Sequence, residues 1–373
     1  MEKNPVYLDY NASALMRPAV ADLMYTIMSA PGNASSVHRF GREARKHIEL
    51  AREQVAALAG THPNYVTFTS GATEANNAVL KHFAGQRILV SAIEHSSVLE
   101  SVPQAEKIPV TPDGVIDLDA FDKLLDGDAP ALISVMLVNN ETGVIQPVAE
   151  LVKRARAKHP RVFFHSDAVQ AAGKISFELA MLGVDYLSLS AHKLGGPHGA
   201  GALLCAPGSE PVPFIHGGGQ ERRQRAGTEN VAAIAGFGLA AEMARAELET
   251  FQQLAVLRDQ LESRLKSAAP EIAIFGQNAS RVASTSNIGL PGISANTQLM
   301  NLDIEGIAVS SASACSSGTV KPSHVLEAMH VVPQLSSHNL RISMGWNTKA
   351  DDIERLAEAW LKMYSRVADK IAR

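Results

Sequence analysis

Cysteine is scarce in this sequence, which has only two in 373 residues. Two cysteines cannot form a disulfide framework, and no spacing of cysteine and histidine indicates a zinc site, so we expect no metal. Apolar runs long enough to cross a membrane are also absent, and the first residues do not form a signal sequence. These absences predict a cytoplasmic protein without a membrane partner.

An excess of positive charge is absent too. The formal net charge is −4 with both signs mixed along the chain, which argues against nucleic acid as a partner. Apolar residues make up 46% of the chain and charged residues 19%, a balance typical of globular proteins. Because 373 residues exceed what one hydrophobic core usually organises, two domains are predicted.

The chain does contain an alternation of apolar strand-like runs and stretches of helical period. The predicted strands of the first two-thirds are residues 65–69, 87–91, 131–137, 162–165, 186–190 and 201–205. Helical period lies between them, for example over 41–59 and 148–158. Strands that are apolar on both faces and separated by helices predict a mostly parallel sheet, with ligands at the carboxyl ends of its strands.

The last third of the chain has a different pattern. A long helical stretch over 230–268 leads into a smaller predicted α+β region with strands near 286–290 and 339–343. We place the large domain at 15–255 and the small domain at 256–373, with residues 1–14 packing against the small one.

A lysine inside a Gly-rich turn follows the predicted strand 186–190. Lys193 can be desolvated there, which makes its amine a nucleophile for a carbonyl cofactor. Asp167 lies just after the preceding predicted strand, 162–165. Such a pair is what pyridoxal phosphate (PLP) requires: the lysine forms a Schiff base and the carboxylate keeps the ring nitrogen protonated. Each residue alone fits an ordinary turn. Together with the segments below, they indicate a catalytic lysine.

Two further segments suit a phosphate group. Gly71 and Thr73 lie where a strand turns into a helix, whose N-terminus offers free N–H groups to an anion, although an ordinary capped helix has the same pattern. The segment 216–228 is Gly-rich and basic, and a solvated surface loop is its alternative interpretation. His95 follows a predicted strand, where it could stack on a cofactor ring or serve as a structural hydrogen-bonding residue. Asn140 follows the most apolar strand, where its amide could contact the ligand.

Cys315 lies in a segment of small polar residues, where an unreactive cysteine is unusual. An accidental surface thiol is the alternative. Cys205 ends an apolar strand and is interpreted as core packing. Arg341 is flanked by apolar residues, so it needs an anionic partner, either a substrate carboxylate or a structural ion pair.

In their order and spacing these segments resemble the cysteine desulfurases of the nitrogen-fixation and iron–sulfur-cluster type, in the class V branch of fold-type I PLP enzymes. The resemblance runs over nearly the whole chain, through 7–12, 32–38, 70–74, 138–141, 167–170, 190–193, 216–221 and 313–315. It implies an α/β fold with a mostly parallel seven-stranded sheet in the large domain and a smaller α+β C-terminal domain.

The resemblance also implies roles for individual residues. Lys193 would carry PLP, Asp167 would pair with the ring nitrogen, and Gln170 would contact the ring hydroxyl. The other implied cofactor contacts are His95 stacked on the ring, Thr73, Ser190 and His192 at the phosphate, and Gly71, Ala72 and Asn140. The implied substrate contacts are Asn11, Asn33, Asn140 and Arg341. Thr228 would reach the PLP of the other subunit of a homodimer.

The implied reaction converts L-cysteine to L-alanine. Lys193 would move the α-proton, His95 would assist as a further catalytic residue, and Cys315 would take the sulfur as a persulfide for iron–sulfur clusters or other sulfur biosynthesis. A sulfur-acceptor protein is therefore an expected partner. Segment 315–322 resembles the longer-loop group I pattern.

Two features depart from the family pattern. Ala312 replaces a customary glycine, which would stiffen the loop if that position needs positive φ. The chain also ends at Arg373, without the tail by which housekeeping members engage scaffold proteins. Other class V enzymes (a selenocysteine lyase, β-lyase or aminotransferase) and a non-catalytic scaffold are the alternatives.

Overall fold

A computed structural model describes residues 4–209, 212–311 and 323–371. Its strands are β1 Val6–Tyr7, β2 Val66–Thr69, β3 Ile88–Ser91, β4 Glu106–Ile108, β5 Leu132–Ser134, β6 Phe163–Asp167, β7 Tyr186–Ser190, β8 Gly201–Cys205, β9 Ala273–Ile274, β10 Thr285–Gly289, β11 Ile307–Ala308 and β12 Asn339–Ser343. Its α-helices are α1 Pro18–Met28, α2 Arg39–Leu58, α3 Ala72–His82, α4 Ser96–Leu99, α5 Leu118–Leu125, α6 Val148–Lys158, α7 Leu179–Leu182, α8 Val231–Ala246, α9 Leu248–Gln252, α10 Leu254–Ala268, α11 Ala295–Ile304, α12 His324–Ala328, α13 Pro333–Ser336 and α14 Ala350–Ile371. Short 3₁₀ turns lie at Pro63–Tyr65, Ala191–Lys193 and Gln220–Arg223.

The main sheet has seven strands in the order β2-β8-β7-β6-β5-β3-β4. Neighbours from β7 through β4 run parallel, whereas β8 is antiparallel to both β7 and β2. This confirms the predicted α/β fold with a mostly parallel seven-stranded sheet. The parallel strands end at one edge, which is where the polar clusters of the sequence lie.

Alternate residues of the sheet enter two different cores. Leu89 and Leu204 pack in the core on one face with α2 and α8, while Val90 and Leu203 pack on the other face with α3. A strand that is buried on both faces needs apolar residues at successive positions, which explains its continuous apolar runs.

The smaller region has a core of its own. The antiparallel sheet β12-β10-β9 packs with helices α10, α11 and α14 around the fully buried Trp360. The N-terminal segment joins this core, because Val6 and Leu8 pack in it and β1 pairs with β11. The smaller α+β region is therefore present as expected, and the exact domain limits stay a prediction. Over the residues described, the helices are too short or too polar to cross a bilayer.

Candidate active site

A cavity of about 990 Å³ opens at the carboxyl edge of the main sheet. β6 ends at Asp167 and β7 ends at Ser190, and each strand delivers its last residues to the cavity wall. The predicted site residues that line it are Asn11, Gly71, Ala72, Thr73, His95, Asn140, Asp167, Gln170, Ser190, His192, Lys193 and Arg341. The fold thus brings together residues that are up to 330 positions apart in the chain (11 and 341).

Lys193 extends from the 3₁₀ turn after β7 into this cavity. Its Nζ donates to the carbonyl oxygens of Asn11 and Ala12, at 2.6 and 2.7 Å. The pKa of Lys193 is lowered to about 8, chiefly by burial and then by the positive charge of Arg341, while Asp9 and Asp167 act in the opposite direction. An appreciable fraction of the amine is therefore neutral near physiological pH, as a nucleophile or proton acceptor requires.

The Asp167 carboxylate is buried and held at both oxygens. Oδ1 accepts from the backbone N–H of Val169 at 3.0 Å, and Oδ2 accepts from Asn76 Nδ2 at 2.8 Å. Asn76 is fully buried on α3 and also donates to Ser97 Oγ at 2.9 Å. Sequence reasoning missed Asn76, since an asparagine inside a helical stretch gives no signal of a carboxylate partner.

His95 caps helix α4. Its Nδ1 accepts the backbone N–H of Ser97 at 3.1 Å and lies 2.8 Å from Ser97 Oγ. An acceptor at Nδ1 leaves the ring proton on Nε2 in the neutral tautomer. Partial burial lowers the pKa of His95, which the nearby Asp167 carboxylate offsets in part. The neutral ring is thus favoured.

Gln170 is anchored by a lysine that sequence reasoning also missed. Lys174, 4% exposed, donates from Nζ to Gln170 Oε1 and, at 2.6 Å, to Asn11 Oδ1. Gln170 Nε2 in turn donates to the main-chain oxygen of Asn11 at 3.0 Å. Burial, with the positive charges of Lys193 and Arg341, lowers the pKa of Lys174 well below its usual value.

Of the two alternatives that the sequence left open for Arg341, the structure shows the ion pair, and the substrate carboxylate stays a prediction. Its Nη2 forms an ion pair with Asp9 at 2.9 Å, and its Nη1 lies 3.4 Å from the carbonyl oxygen of Asn140. Its Nε is buried without a hydrogen-bond partner among the described residues. Nearby is Glu141, whose pKa is raised to about 7 by burial, against the opposing effects of the Ser323 hydrogen bond and the Arg341 charge. The wall here thus combines a guanidinium with a carboxyl that can hold a proton.

The opposite wall is the N-terminus of α3. A Cβ on Gly201 would lie 2.6 Å from Gly71 Cα, so the glycine in β8 lets the two backbones approach closely. Glu74 accepts the backbone N–H of Ser70 at 2.7 Å and pairs with Arg225 at 2.9 Å, and these bonds lower its pKa against the effect of burial. Burial lowers the pKa of His192 to about 4, so its ring is neutral. This end offers N–H and O–H donors to an anion.

The aminotransferase class-V family model matches residues 6–356 of the chain. The chain belongs to this family.

Relatives and solved structures are similar to this chain over almost its whole length. A cysteine desulfurase IscS from Dictyoglomus turgidum is 39% identical, with 99% of this chain and 96% of that protein covered. The crystal structure of a NifS-like protein from Rickettsia africae superposes with a TM-score of 0.90 at 35% identity, covering 97% of this chain and all of that one. A structure described as SspA in complex with cysteine superposes with a TM-score of 0.78 at 28% identity, covering 91% and 98%. The predicted family and fold are thereby confirmed.

Some predicted residues of this class-V chain lie away from the cavity. Asn33 is exposed, and its Oδ1 accepts the backbone N–H of Ser35 at 2.9 Å. Thr228 is exposed as well, and its predicted contact with a second subunit stays a prediction. Cys315 and Ala312 lie outside the described residues. Cys205 is largely buried at the end of β8, where burial, with Asp185, raises its pKa to about 12 and makes it a poor nucleophile.

The basic segment 216–228 of the class-V chain does not line the cavity. Its Glu221 is buried and forms an ion pair with Arg52 at 2.8 Å. Glu221, Arg222 and Arg223 all have positive φ, a costly conformation for non-glycine residues. The ion pair attaches the segment to α2 at Glu221, while residues 216–219 and Arg222 are exposed.

Proposed function

We propose that the chain is a cysteine desulfurase that uses PLP to convert L-cysteine to L-alanine and a protein-bound persulfide. The single observation that supports this most is the position of the Lys193 amine. It lies in the cavity with a pKa of about 8, just after β7, and β7 pairs with β6, which ends at Asp167. The relatives named as cysteine desulfurases indicate which class-V reaction the site carries out.

The donors and charges of the cavity fit PLP. Lys193 would hold its aldehyde carbon, the carboxylate of Asp167 its ring nitrogen, and Gln170 its ring hydroxyl. His95, a flat ring at the cavity wall, would stack on it, and Asn140 would contact it as well. Gly71, Ala72, Thr73, Ser190 and His192 would surround the phosphate at the N-terminus of α3. When bound, PLP supplies an electron sink for the negative charge that develops at the substrate α-carbon.

The remaining wall suits the substrate amino acid. Arg341 would bind its carboxylate, since a planar guanidinium matches two carboxylate oxygens and its Nε has no other partner among the described residues. Asn11 and Asn140 would contact the substrate beside it, and Asn33 stays a further predicted contact. The neutral fraction of the Lys193 amine, appreciable near physiological pH because its pKa is about 8, would take the α-proton. The Nε2–H of His95 is a second proton source.

Sulfur transfer requires a thiolate, which we assign to Cys315. Its sulfur would form an S–S bond to the substrate sulfur as the substrate C–S bond breaks, so that the enzyme thiol and L-cysteine become an enzyme persulfide and L-alanine. No other reactant is needed. A sulfur-acceptor protein would then take the outer sulfur, for iron–sulfur clusters or other sulfur biosynthesis in the cytoplasm. In the proposed homodimer, Thr228 would complete the phosphate site of the partner subunit.

The test measures sulfide and alanine formed from L-cysteine with excess dithiothreitol by the PLP-loaded protein. We expect equimolar products from the wild type and their loss in Cys315→Ser while PLP absorbance persists. The matched control is Cys205→Ser, which we expect to retain activity because that thiol is protonated and outside the cavity. Pyruvate in place of alanine would indicate a β-lyase, and an unaffected Cys315→Ser would contradict the persulfide mechanism.

A further inference from the structure

The buried amine of Lys174 has no obvious reason to be in the interior. Buried lysines are rare and costly unless their charge is neutralised or their hydrogen bonds are satisfied. Among the described residues, Nζ donates to two neutral amide oxygens, Gln170 Oε1 and Asn11 Oδ1, rather than to a carboxylate. An apolar side chain here would leave both amide oxygens without this donor, so the two hydrogen bonds need an explanation.

These donors fix which way the Gln170 amide faces. Because Nζ donates to Oε1, the amide nitrogen must lie on the other side, and it does so by donating to the main-chain oxygen of Asn11 at 3.0 Å. The reverse orientation would bring two carbonyl oxygens together and leave Nζ facing an NH₂ group. Asn11 uses one of the two Nε2 hydrogens, and because Gln170 lines the cavity, we infer that the other is available to a ligand there.

Asn11 is held in the same way. Its Oδ1 accepts from Lys174, and its Nδ2 donates to Asn140 O and Thr285 Oγ1, both at 3.0 Å. Its main-chain oxygen accepts from both Gln170 and Lys193. Lys174 therefore holds the side chain of Asn11, the residue whose main-chain oxygen accepts a hydrogen bond from Lys193.

We propose that Lys174 is a positioning residue that orients the Gln170 amide so that an N–H, and not an oxygen, faces the ligand. A donor at this place selects an anionic oxygen on the bound group. The inference rests on the proposed function, in which that oxygen is the ring hydroxylate of PLP. Without Lys174, Gln170 Oε1 would lose its buried donor, and the bond from Nε2 to the Asn11 main-chain oxygen would be left to orient the amide.

The test is a double-mutant cycle on the PLP dissociation constant, measured by equilibrium titration of the apoprotein. Lys174→Met keeps the side-chain length and removes the donors, and Gln170→Leu removes the amide. We expect each single change to weaken PLP binding about tenfold, the usual result of losing one buried polar partner. Since Lys174 acts through Gln170, Lys174→Met should have almost no further effect in the Gln170→Leu background.

The controls separate this role from a structural one. Lys158→Met removes an exposed lysine that bonds to Asp122 and Asp126, and should leave PLP binding unchanged. Urea unfolding of each apoprotein shows whether a variant is folded. Gln252→Leu removes the bond from Gln252 Nε2 to the Lys174 main-chain oxygen, and tests whether that bond positions the Lys174 backbone. If the effects of Lys174→Met and Gln170→Leu on the PLP dissociation constant multiply in the double variant, the inference is wrong. It is also wrong if folded Lys174→Met binds PLP as the wild type does. Neither result would overturn the proposed function. A wild-type chain that binds no PLP would overturn both the inference and the proposed function.

Discussion

At the scale of single residues, the Lys193 amine shows how neighbours set reactivity. Burial is the largest reason for its lowered pKa, and Arg341 adds to the effect while Asp9 and Asp167 oppose it. Arg341 in turn pairs with Asp9, so one substitution changes two of these influences. The nucleophile and the expected carboxylate-binding residue are thus electrostatically linked.

We predict that Arg341→Met raises the pKa of Lys193 above its wild-type value of about 8. Removing the guanidinium removes a positive charge that disfavours the ammonium form, and the freed Asp9 carboxylate favours that form further. Competitive acylation of the apoprotein across a pH series, read by peptide mass spectrometry, gives the midpoint for Lys193. Arg264→Met, which removes an arginine paired with Glu354 at the surface, is the control and should leave the midpoint unchanged. A midpoint that falls in Arg341→Met would contradict this electrostatic account.

The sequence indicated those residues of the cavity that stand next to a recognisable strand end or glycine turn, such as Lys193 and Asp167. It did not indicate the residues that hold them. Lys174 has the sequence surroundings of a solvated lysine, and Asn76 those of a polar helix position. Their burial depends on packing between distant segments, which local pattern does not contain.

At the scale of elements, strands that are buried on both faces could be predicted from their apolar runs. One strand with charged residues could not. β7 and β8 begin and end where the apolar runs predicted. β4 was missed because Glu106 and Lys107 are exposed at the edge of the sheet, where charged residues are common. β5 is shorter than predicted, since the apolar run continues beyond Ser134 into an irregular buried segment.

The close approach of β8 to the turn before α3 makes Gly201 sensitive to substitution. A Cβ there would lie 2.6 Å from Gly71 Cα and 2.7 Å from the carbonyl oxygen of Leu189, all backbone atoms that cannot rotate away. We expect Gly201→Ala to lower the free energy of unfolding by about 1–3 kcal/mol, measured by urea denaturation. Gly127→Ala, where a Cβ would meet only atoms 3.7 Å away, is the matched control. Equal effects of the two changes would show that close approach is not the cause.

The ion pair between Arg52 on α2 and Glu221 fixes the loop that follows β8 and leads to Thr228. Both side chains are nearly inaccessible, at 3% and 2% exposure, and Arg52 also lies over the Phe68 ring. We expect Arg52→Met to cost about 3–5 kcal/mol of unfolding free energy because it leaves a buried charge, and the double variant with Glu221→Gln to recover part of it. Arg264→Met, in an exposed pair, should cost less than about 1 kcal/mol. Similar costs for the buried and exposed pairs would contradict this.

At the scale of the whole molecule, the cavity depends on both cores. The N-terminal segment packs with the small sheet and also supplies Asn11, while Arg341 comes from β12 and Lys193 from the main sheet. The sequence resemblance could name these residues, but not the ion pair of Asp9 with Arg341, because its members are 332 positions apart. Such a contact follows only from the folded arrangement.

The proposed homodimer predicts that two variants with defects in different residues of the site can restore activity when they form a mixed dimer. We expect Lys193→Ala to be inactive and Thr228→Ala to be impaired. Unfolding and refolding equal amounts of the two together should restore about a quarter of wild-type activity, since half the dimers are mixed and each has one complete site. Measuring sulfide release before and after mixing tests this. If Thr228 acts within its own chain, the mixture will show no recovery.

The central claim is that sulfur from L-cysteine becomes covalently bound to Cys315. The most direct measurement incubates the PLP-loaded protein with L-cysteine carrying a heavy sulfur isotope, without reductant, then alkylates and maps the peptides by mass spectrometry. We predict one labelled sulfur on the peptide that contains Cys315 for each alanine formed in the first turnover, and none on that of Cys205. Alanine formed without label on Cys315 would contradict the account.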